Sequence, residues 1–126
     1  MKNKSLRGLV SYISGHAAEN LVCHWLEQKG YKKVAQNVSQ RRGSHASELD
    51  LIMLKDKTLV FIEVKKRQTL QQALDSVVPN MQKRLYKGAQ AFLVTHPEFL
   101  EYDCRFDVVC LDKDNTITHL QNVIEE

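Results

Sequence analysis

The chain has 126 residues, 43% hydrophobic and 26% charged, with five Gly and two Pro. That composition supports a single folded domain over residues 1–126 and excludes a disordered or low-complexity chain. No apolar run reaches the ~20 residues of a membrane span, and the N-terminus lacks the pattern of a signal peptide, so no membrane partner is expected. The net charge of +3 conceals an asymmetry: 16 Lys/Arg against seven Asp/Glu up to residue 97, then two against eight, or +9 followed by −6. A basic body favours a polyanionic partner such as nucleic acid, although a lopsided solvated surface has the same signature.

Residues 1–12 are basic and polar and read as a flexible arm. From Ser14 to Lys29 the apolar positions Ala18, Leu21, Val22, Trp25 and Leu26 recur at helical spacing, with Ser14 to cap the start and Gly30 to end it. Tyr31–Val38 reads as a short strand and Gln40–Ser47 as a polar, basic loop. Glu48–Leu54 and Thr58–Lys65 form a hairpin around Lys55-Asp56-Lys57. Gln71–Val78 is a short helix, and Pro79 opens a longer one with Met81, Leu85, Ala89 and Phe92 on one face. Cys104–Leu111 and Thr116–Ile124 are strands around an Asp112–Asn115 turn. The order αβββαββ makes an α/β protein, a mixed sheet of about five strands flanked by helices. Cys23, Cys104 and Cys110 contain no CxxC, and on one strand Cys104 and Cys110 would stand ~20 Å apart, beyond disulfide reach. A reduced, cytoplasmic protein is expected.

Chemistry concentrates in the central hairpin. Alternation puts Glu48, Asp50, Ile52 and Leu54 on one face of their strand, against Leu49, Leu51 and Met53 on the other. On the next strand Leu59, Phe61, Glu63 and Lys65 share a face. An even loop centred between residues 56 and 57 sets Asp50 opposite Glu63, with Cα atoms ~4.5–5.5 Å apart. Like charges so placed repel, unless one is protonated, Lys65 screens them or a divalent cation lies between them. Hard carboxylate ligands suit Mg²⁺, which keeps waters for phosphate oxygens. An ordinary solvent face held by Lys65 ion pairs fits the same pattern.

Glu19 is a third carboxylate that could reach the hairpin from the first helix, although an acid in a first turn also serves the helix dipole. Lys83 and Lys87 share a face of the helix after Pro79 and could contact phosphates, or simply be solvated. Arg41 and Arg42 in the basic loop have the same two readings. Arg105 and Asp107 lie on one strand face, as a structural ion pair would. The five histidines show no HExxH or His/Cys ligand spacing, which argues against zinc.

Gly15-His16-Ala17-Ala18-Glu19, Asn37, Glu48-Leu49-Asp50-Leu51-Ile52, Phe61-Ile62-Glu63-Val64-Lys65-Lys66-Arg67, Lys83 and Cys104-Arg105-Phe106-Asp107-Val108-Val109 follow one another in order. This series resembles the YraN family of predicted endonucleases in the PD-(D/E)xK, restriction-endonuclease-like superfamily, from about Gly15 to Asn122. It is also similar to archaeal Holliday-junction resolvases, dimers that cut branched DNA. The resemblance implies a restriction-endonuclease-like core and an endonuclease dependent on Mg²⁺ or Mn²⁺. Its substrate would be DNA, with branched or damaged forms among the candidates, and a homodimer is compatible with it. In this reading Asp50, Glu63, the Val64 carbonyl and Glu19 hold the metal, with Glu48 acting through water. Asp50, Glu63, Lys65 and Glu19 form the catalytic set. Arg41, Arg42, Lys66, Arg67, Lys83 and Lys87 contact nucleic acid. The alternative is a nucleic-acid-binding module that keeps the nuclease fold and cuts weakly or not at all.

Overall fold

The computed structural model describes the backbone of residues 4–42 and 45–124, and the side chains of residues 15–39 and 48–124. Its order is α1 (Lys4–Glu27), β1 (Lys32–Arg42), β2 (His45–Lys55), β3 (Thr58–Lys66), α2 (Leu70–Asp75), α3 (Pro79–Thr95), a 3₁₀ turn (Pro97–Phe99), β4 (Asp103–Leu111) and β5 (Ile117–Leu120). The five strands form one sheet in the order β1-β2-β3-β4-β5. All neighbours are antiparallel except β3 and β4, which are parallel. A parallel pair needs a crossover, supplied here by α2, α3 and the 3₁₀ turn. This is the α/β architecture expected from the sequence. None of the described helices is long and apolar enough to cross a membrane.

Four boundaries differ from expectation, α2 among them, which ends at Asp75 rather than Val78. Helix α1 begins at Lys4 rather than Ser14, so residues 4–12 are helical, while residues 1–3 lie outside the described residues. Leu6, Leu9, Val10 and Ile13 already carry the three- and four-residue rhythm that continues at Ala18. Most of the expected loop Gln40–Ser47 is strand, with Gln40 of β1 opposite Ser47 of β2, Arg41 opposite Ala46 and Arg42 opposite His45, while residues 43 and 44 lie outside the described residues. Backbone pairing at a sheet edge needs no apolar side chains, so a polar sequence hid it. Strand β5 stops at Leu120 instead of Ile124. Asn122 takes a left-handed φ of 57° and its N–H turns inward to Asp107.

Helix α1 ends as its glycine predicts. Gly30 has φ 92°, the Tyr31 N–H bonds to the Leu26 carbonyl and the Gly30 N–H to that of Glu27. That pair of bonds defines a Schellman cap, closed by Leu26 and Tyr31, both buried.

The sheet is buried on both faces. Beneath α3 lie Leu49, Ile52, Leu59, Phe61, Phe106 and Val108, meeting Met81, Leu85, Ala89 and Phe92. Beneath α1 lie Leu51, Met53, Val60, Ile62 and Val109, meeting Ala18, Val22 and Leu26. Gly88 lets α3 come close, since a Cβ there would stand 2.9 Å from Leu49 Cδ2. Cys23 and Cys110 are buried free thiols, and Cys104 is exposed.

Strict alternation fails at one place on β2. Leu49 was expected to share a face with Leu51 and Met53, but it joins Ile52 in the core under α3. Their partners on β1, Val38 and Ala35, are also three apart and packed on that same core. Between them Asn37 is left-handed, φ 53°, and the paired register passes over Asn37 and Asp50. Asp50 therefore sits at a gap in the pairing, which resumes in the same register beyond it; the register shift of this ladder falls earlier, between Lys33 and Ala35.

Candidate functional site

The β2–β3 turn has the even loop that brings Asp50 and Glu63 together. Lys55 pairs with Thr58, Leu54 with Leu59 and so on to Leu51 with Ile62, where the ladder ends. Beyond that pair β2 remains with β1 and β3 remains with β4, so a fork opens at Asp50 and Glu63. Asp50 takes the place of the missing strand partner, with its Oδ2 accepting the Val64 N–H at 2.9 Å. Glu63, with a side chain only 11% exposed, leans toward α3. There Arg84 Nη2 donates to its Oε2 at 3.0 Å, and Lys65 Nζ stands 3.9 Å from its Oε1.

Helix α1 contributes Glu19 from the other side. The early start of α1 places Glu19 deep within the helix, so the dipole of a first turn does not account for it. Its side chain is 14% exposed, and its Oε1 stands 3.5 Å from His16 Nδ1. That same oxygen is buried and has no hydrogen-bond partner among the described residues. His16 in turn lies 3.0 Å from the Asn37 side-chain amide. A concave region of about 400 Å³ opens over the fork, lined by His16, Glu19, Asn37, Ser39, Glu48 and Asp50.

The electrostatics express crowding. Burial first, then the charge and hydrogen bonding of Asp50, push Glu19 up to about 8, partly offset by a hydrogen bond with Asn37. Burial and Asp50 likewise push Glu63 up to about 7, against the opposing charges of Lys65 and Arg84. Glu19 and Glu63 therefore keep protons toward neutral pH, which is how a carboxylate cluster relieves repulsion without a cation. Among the described residues no three or more His, Cys, Asp or Glu side chains gather closely enough to hold a metal ion as they stand. The donors that do meet are hard carboxylate oxygens, one of them an unsatisfied buried atom. That set suits a cation such as Mg²⁺ or Mn²⁺, which binds a few carboxylates and retains water or substrate oxygens.

The other expected site residues are spread more widely. Glu48 is exposed at the rim of the concavity, on the side of Asp50. Val64 follows Glu63 and spends its N–H on Asp50. Lys66 and Arg67 edge a small depression of about 290 Å³ with Gln68, Gln72 and Lys113, and Arg67 Nη1 donates to the Lys66 carbonyl. Lys83 and Lys87 are exposed on α3 and line a separate groove. The backbone of Arg41 and Arg42 belongs to β1, but their side chains lie outside the described residues. Sequence reasoning passed over Arg84, His16 and Asn37 as site residues. Arg84 was hidden by the more regular i, i+4 pair of lysines around it, yet it borders the buried face of α3, three residues from Met81 and four from Gly88. His16 stands three residues before Glu19 on a helix, a spacing that signals contact.

Arg105 and Asp107 form the expected ion pair and more. Asp107 is fully buried and accepts from Arg105 Nε at 3.0 Å, from Arg105 Nη2 at 3.0 Å and from the Asn122 N–H at 3.0 Å. His119 Nε2 lies 2.7 Å from its Oδ2, and Arg105 Nη2 reaches on to the Tyr31 hydroxyl at 2.8 Å.

Fold and site together define an α/β protein with a forked five-stranded sheet and a half-buried carboxylate cluster at the fork. The chain belongs to the family described as Uncharacterised protein family UPF0102, whose model matches residues 18–111. That span contains Glu19, Asp50, Glu63, Lys65, Arg84 and Asp107. It is 41% identical over 95 residues to the UPF0102 protein amb4503 of Paramagnetospirillum magneticum, covering 75% of this chain and 74% of that one. The UPF0102 protein of Alcanivorax borkumensis is 41% identical over 104 residues, 81% of this chain and 80% of its own. That of Azorhizobium caulinodans is 34% identical over 119 residues, 94% and 88%.

Proposed function

We propose that this protein is a Mg²⁺- or Mn²⁺-dependent endonuclease of the PD-(D/E)xK type, as its resemblance to the YraN family implies, hydrolysing phosphodiester bonds in DNA. The observation that carries this reading is the convergence of Glu19, Asp50 and Glu63 from three different elements onto one fork, with Lys65 and Arg84 beside them. A purely solvated face does not bury two acids to the point of raising both pKa values, and a satisfied ion-pair lattice does not leave a buried carboxylate oxygen without a hydrogen bond, as Glu19 Oε1 is left beside His16.

When bound, a divalent cation would supply Lewis acidity toward the phosphodiester and its nucleophile. The chain's own residues do the rest. Asp50 is oriented by the Val64 N–H and keeps one oxygen facing the fork. Glu63 is held between Lys65 and Arg84, and their positive charges are available to a phosphate once the carboxylate turns to a cation. Lys65, its side chain 14% exposed, is positioned to orient an attacking water and to offset charge developing on a phosphoryl oxygen. Glu19 would give up its proton and add an oxygen to those holding a cation there, and the basic body of the chain attracts the polyanionic substrate.

The test is cleavage of linear, single-stranded and four-way-junction DNA in Mn²⁺ by wild type and by Asp50→Asn, Glu63→Gln and Lys65→Ala. Wild type should cut at least one substrate, and each variant should lose at least about 100-fold in rate while retaining its circular dichroism. Cleavage in EDTA, or cleavage that survives Asp50→Asn, would refute the reading. DNA binding without any cleavage by wild type would favour the module that keeps this fold for binding alone.

A further inference from the structure

The exposed face of α3 bears a second feature that the carboxylate fork does not use. Phe61 stacks on Phe106 with ring centres 5.5 Å apart and planes at 23°. Phe106 carries Tyr86 at 5.8 Å and 37°. The first two rings are buried, and Tyr86, 38% exposed, is where this row of aromatics reaches solvent. Around it lies a groove of about 790 Å³ lined by Gln82, Lys83, Lys87, Gln90 and Ile124. Its size falls within the roughly 300–1,000 Å³ of small-molecule sites. Gln82 Nε2 donates to the Val123 carbonyl at 3.3 Å, holding the C-terminal segment as the far wall. No acidic side chain lines the groove among the described residues.

The groove lies across α3 from the fork. At about 100° per residue, Lys87 lies roughly 60° from Arg84 and Lys83 roughly 100°, both over the outer side of the helix, and Tyr86 roughly 160°, where it returns toward the buried side and meets Phe106. Arg84 touches Glu63, and each of these residues is exposed. A chain of cations therefore leads from the carboxylates across α3 to an exposed ring.

Cations spaced along a path attract a phosphate backbone, and a ring at the end of the path offers a π-face to a base. In duplex DNA the faces of each base are covered by its neighbours, so only an unpaired base can meet that ring. We infer that the Tyr86 groove binds single-stranded DNA, with an unpaired base stacked on Tyr86 and its flanking phosphates on Lys83 and Lys87. This inference rests on the nuclease reading only for the polarity of the path, since it places the single strand on the route into the fork; binding itself needs no catalysis.

The experiment is fluorescence anisotropy in EDTA with a labelled 20-nucleotide single strand and a duplex of the same length. Proteins compared are wild type, Tyr86→Leu, Tyr86→Trp and the double variant Lys83→Ala/Lys87→Ala. Wild type should prefer the single strand. Tyr86→Leu should lose roughly tenfold in single-strand affinity, within the range stacking supplies, and Tyr86→Trp should retain it. The lysine pair should lower the salt slope of single-strand binding by about 1.4. Because Tyr86 also packs on Phe106, the Trp variant distinguishes a lost stacking face from a disturbed helix. Equal single-strand binding by wild type and Tyr86→Leu, or loss in the Trp variant as large as in the Leu variant, would overturn the inference. If wild type cuts DNA in Mn²⁺ yet Tyr86→Leu binds normally, the inference fails alone. If wild type never cuts but Tyr86→Leu loses single-strand binding, the catalytic reading fails and the inference stands.

Discussion

The protein buries acidic side chains in two places and treats them in opposite ways. At the β4–β5 end, Asp107 is completely enclosed, and burial by itself would push its pKa up. Hydrogen bonds from His119, Arg105 and the Asn122 backbone, together with the Arg105 charge, outweigh that and hold it below the usual carboxylate range. At the fork, Glu19 and Glu63 are driven upward by burial first and then by a neighbouring carboxylate, Asp50, which Arg84 and Lys65 beside Glu63 offset only in part. Neutralising groups are present there too, but Arg84 is half-exposed and Lys65 stands 3.9 Å away. The difference separates a closed acid from an open one. Asp107 has spent its acceptor capacity inside the protein, whereas the fork keeps unspent oxygens facing a concavity. Spent acceptors hold a fold together, and unspent ones remain for a ligand.

The largest test of this contrast is removal of the closed acid. Asp107→Ala strands Arg105 and His119 and releases Asn122, and it should cost roughly 3–5 kcal/mol in urea unfolding. A loss under 1 kcal/mol would show that the network is not structural. At the fork the expectation reverses. Substitutions that end cleavage should leave stability intact, and Glu63→Gln in EDTA at pH 8 should raise the urea midpoint, since it removes a buried like charge. A lower midpoint would mean that Glu63 is held for the fold.

The pH dependence has opposite signs at the two places. For Glu19 and Glu63 the folded state holds protons more tightly than the unfolded chain. Their contribution is full below the ordinary carboxylate pKa of about 4.5 and is lost as pH rises through about 7 to 8. Metal-free protein should accordingly lose on the order of 1–3 kcal/mol between pH 5 and 8. Mg²⁺ or Mn²⁺ should restore it, and a flat, metal-independent profile over that window would contradict protonated acids at the fork. For Asp107 the contribution is present above its ordinary value of 3.8 and is lost as pH falls through its lower folded value, so Asp107→Asn should matter least in strong acid. The smallest effect belongs to Arg84→Ala. Its half-exposed cation is worth under about 1 kcal/mol, but its loss should move the fork's titration to higher pH, readable from the carboxyl resonance of Glu63. An unchanged midpoint would remove Arg84 from the site.

Much of this was legible before folding was considered. The period of Ala18, Val22 and Leu26 declared α1, Gly30 declared its end, and Pro79 declared the start of α3. An even turn at Asp56-Lys57, one of the loop lengths the sequence allows, brings Asp50 level with Glu63, although the ladder ends one pair short of them. Less legible were features that depend on backbone geometry or on distant partners. The strand ends at Gln40–Ser47 are polar because they pair through the main chain. The face of Leu49 depends on Asn37, whose left-handed φ breaks a rule of alternation that its own strand otherwise follows.

By itself the sequence determined the αβββαββ plan, the basic body and the carboxylates at the central hairpin, because periodicity, turn chemistry and register act over a few residues. Only the tertiary structure decided that the β2–β3 ladder ends at Leu51 and Ile62, that Glu19 enters the resulting fork from α1, and that Arg84 rather than Lys83 reaches Glu63. It also decided which buried acid is satisfied and which is not. Satisfaction depends on partners brought from as far away as Tyr31 and Asn122, and no local pattern in a chain encodes which side chains its fold will leave facing one another.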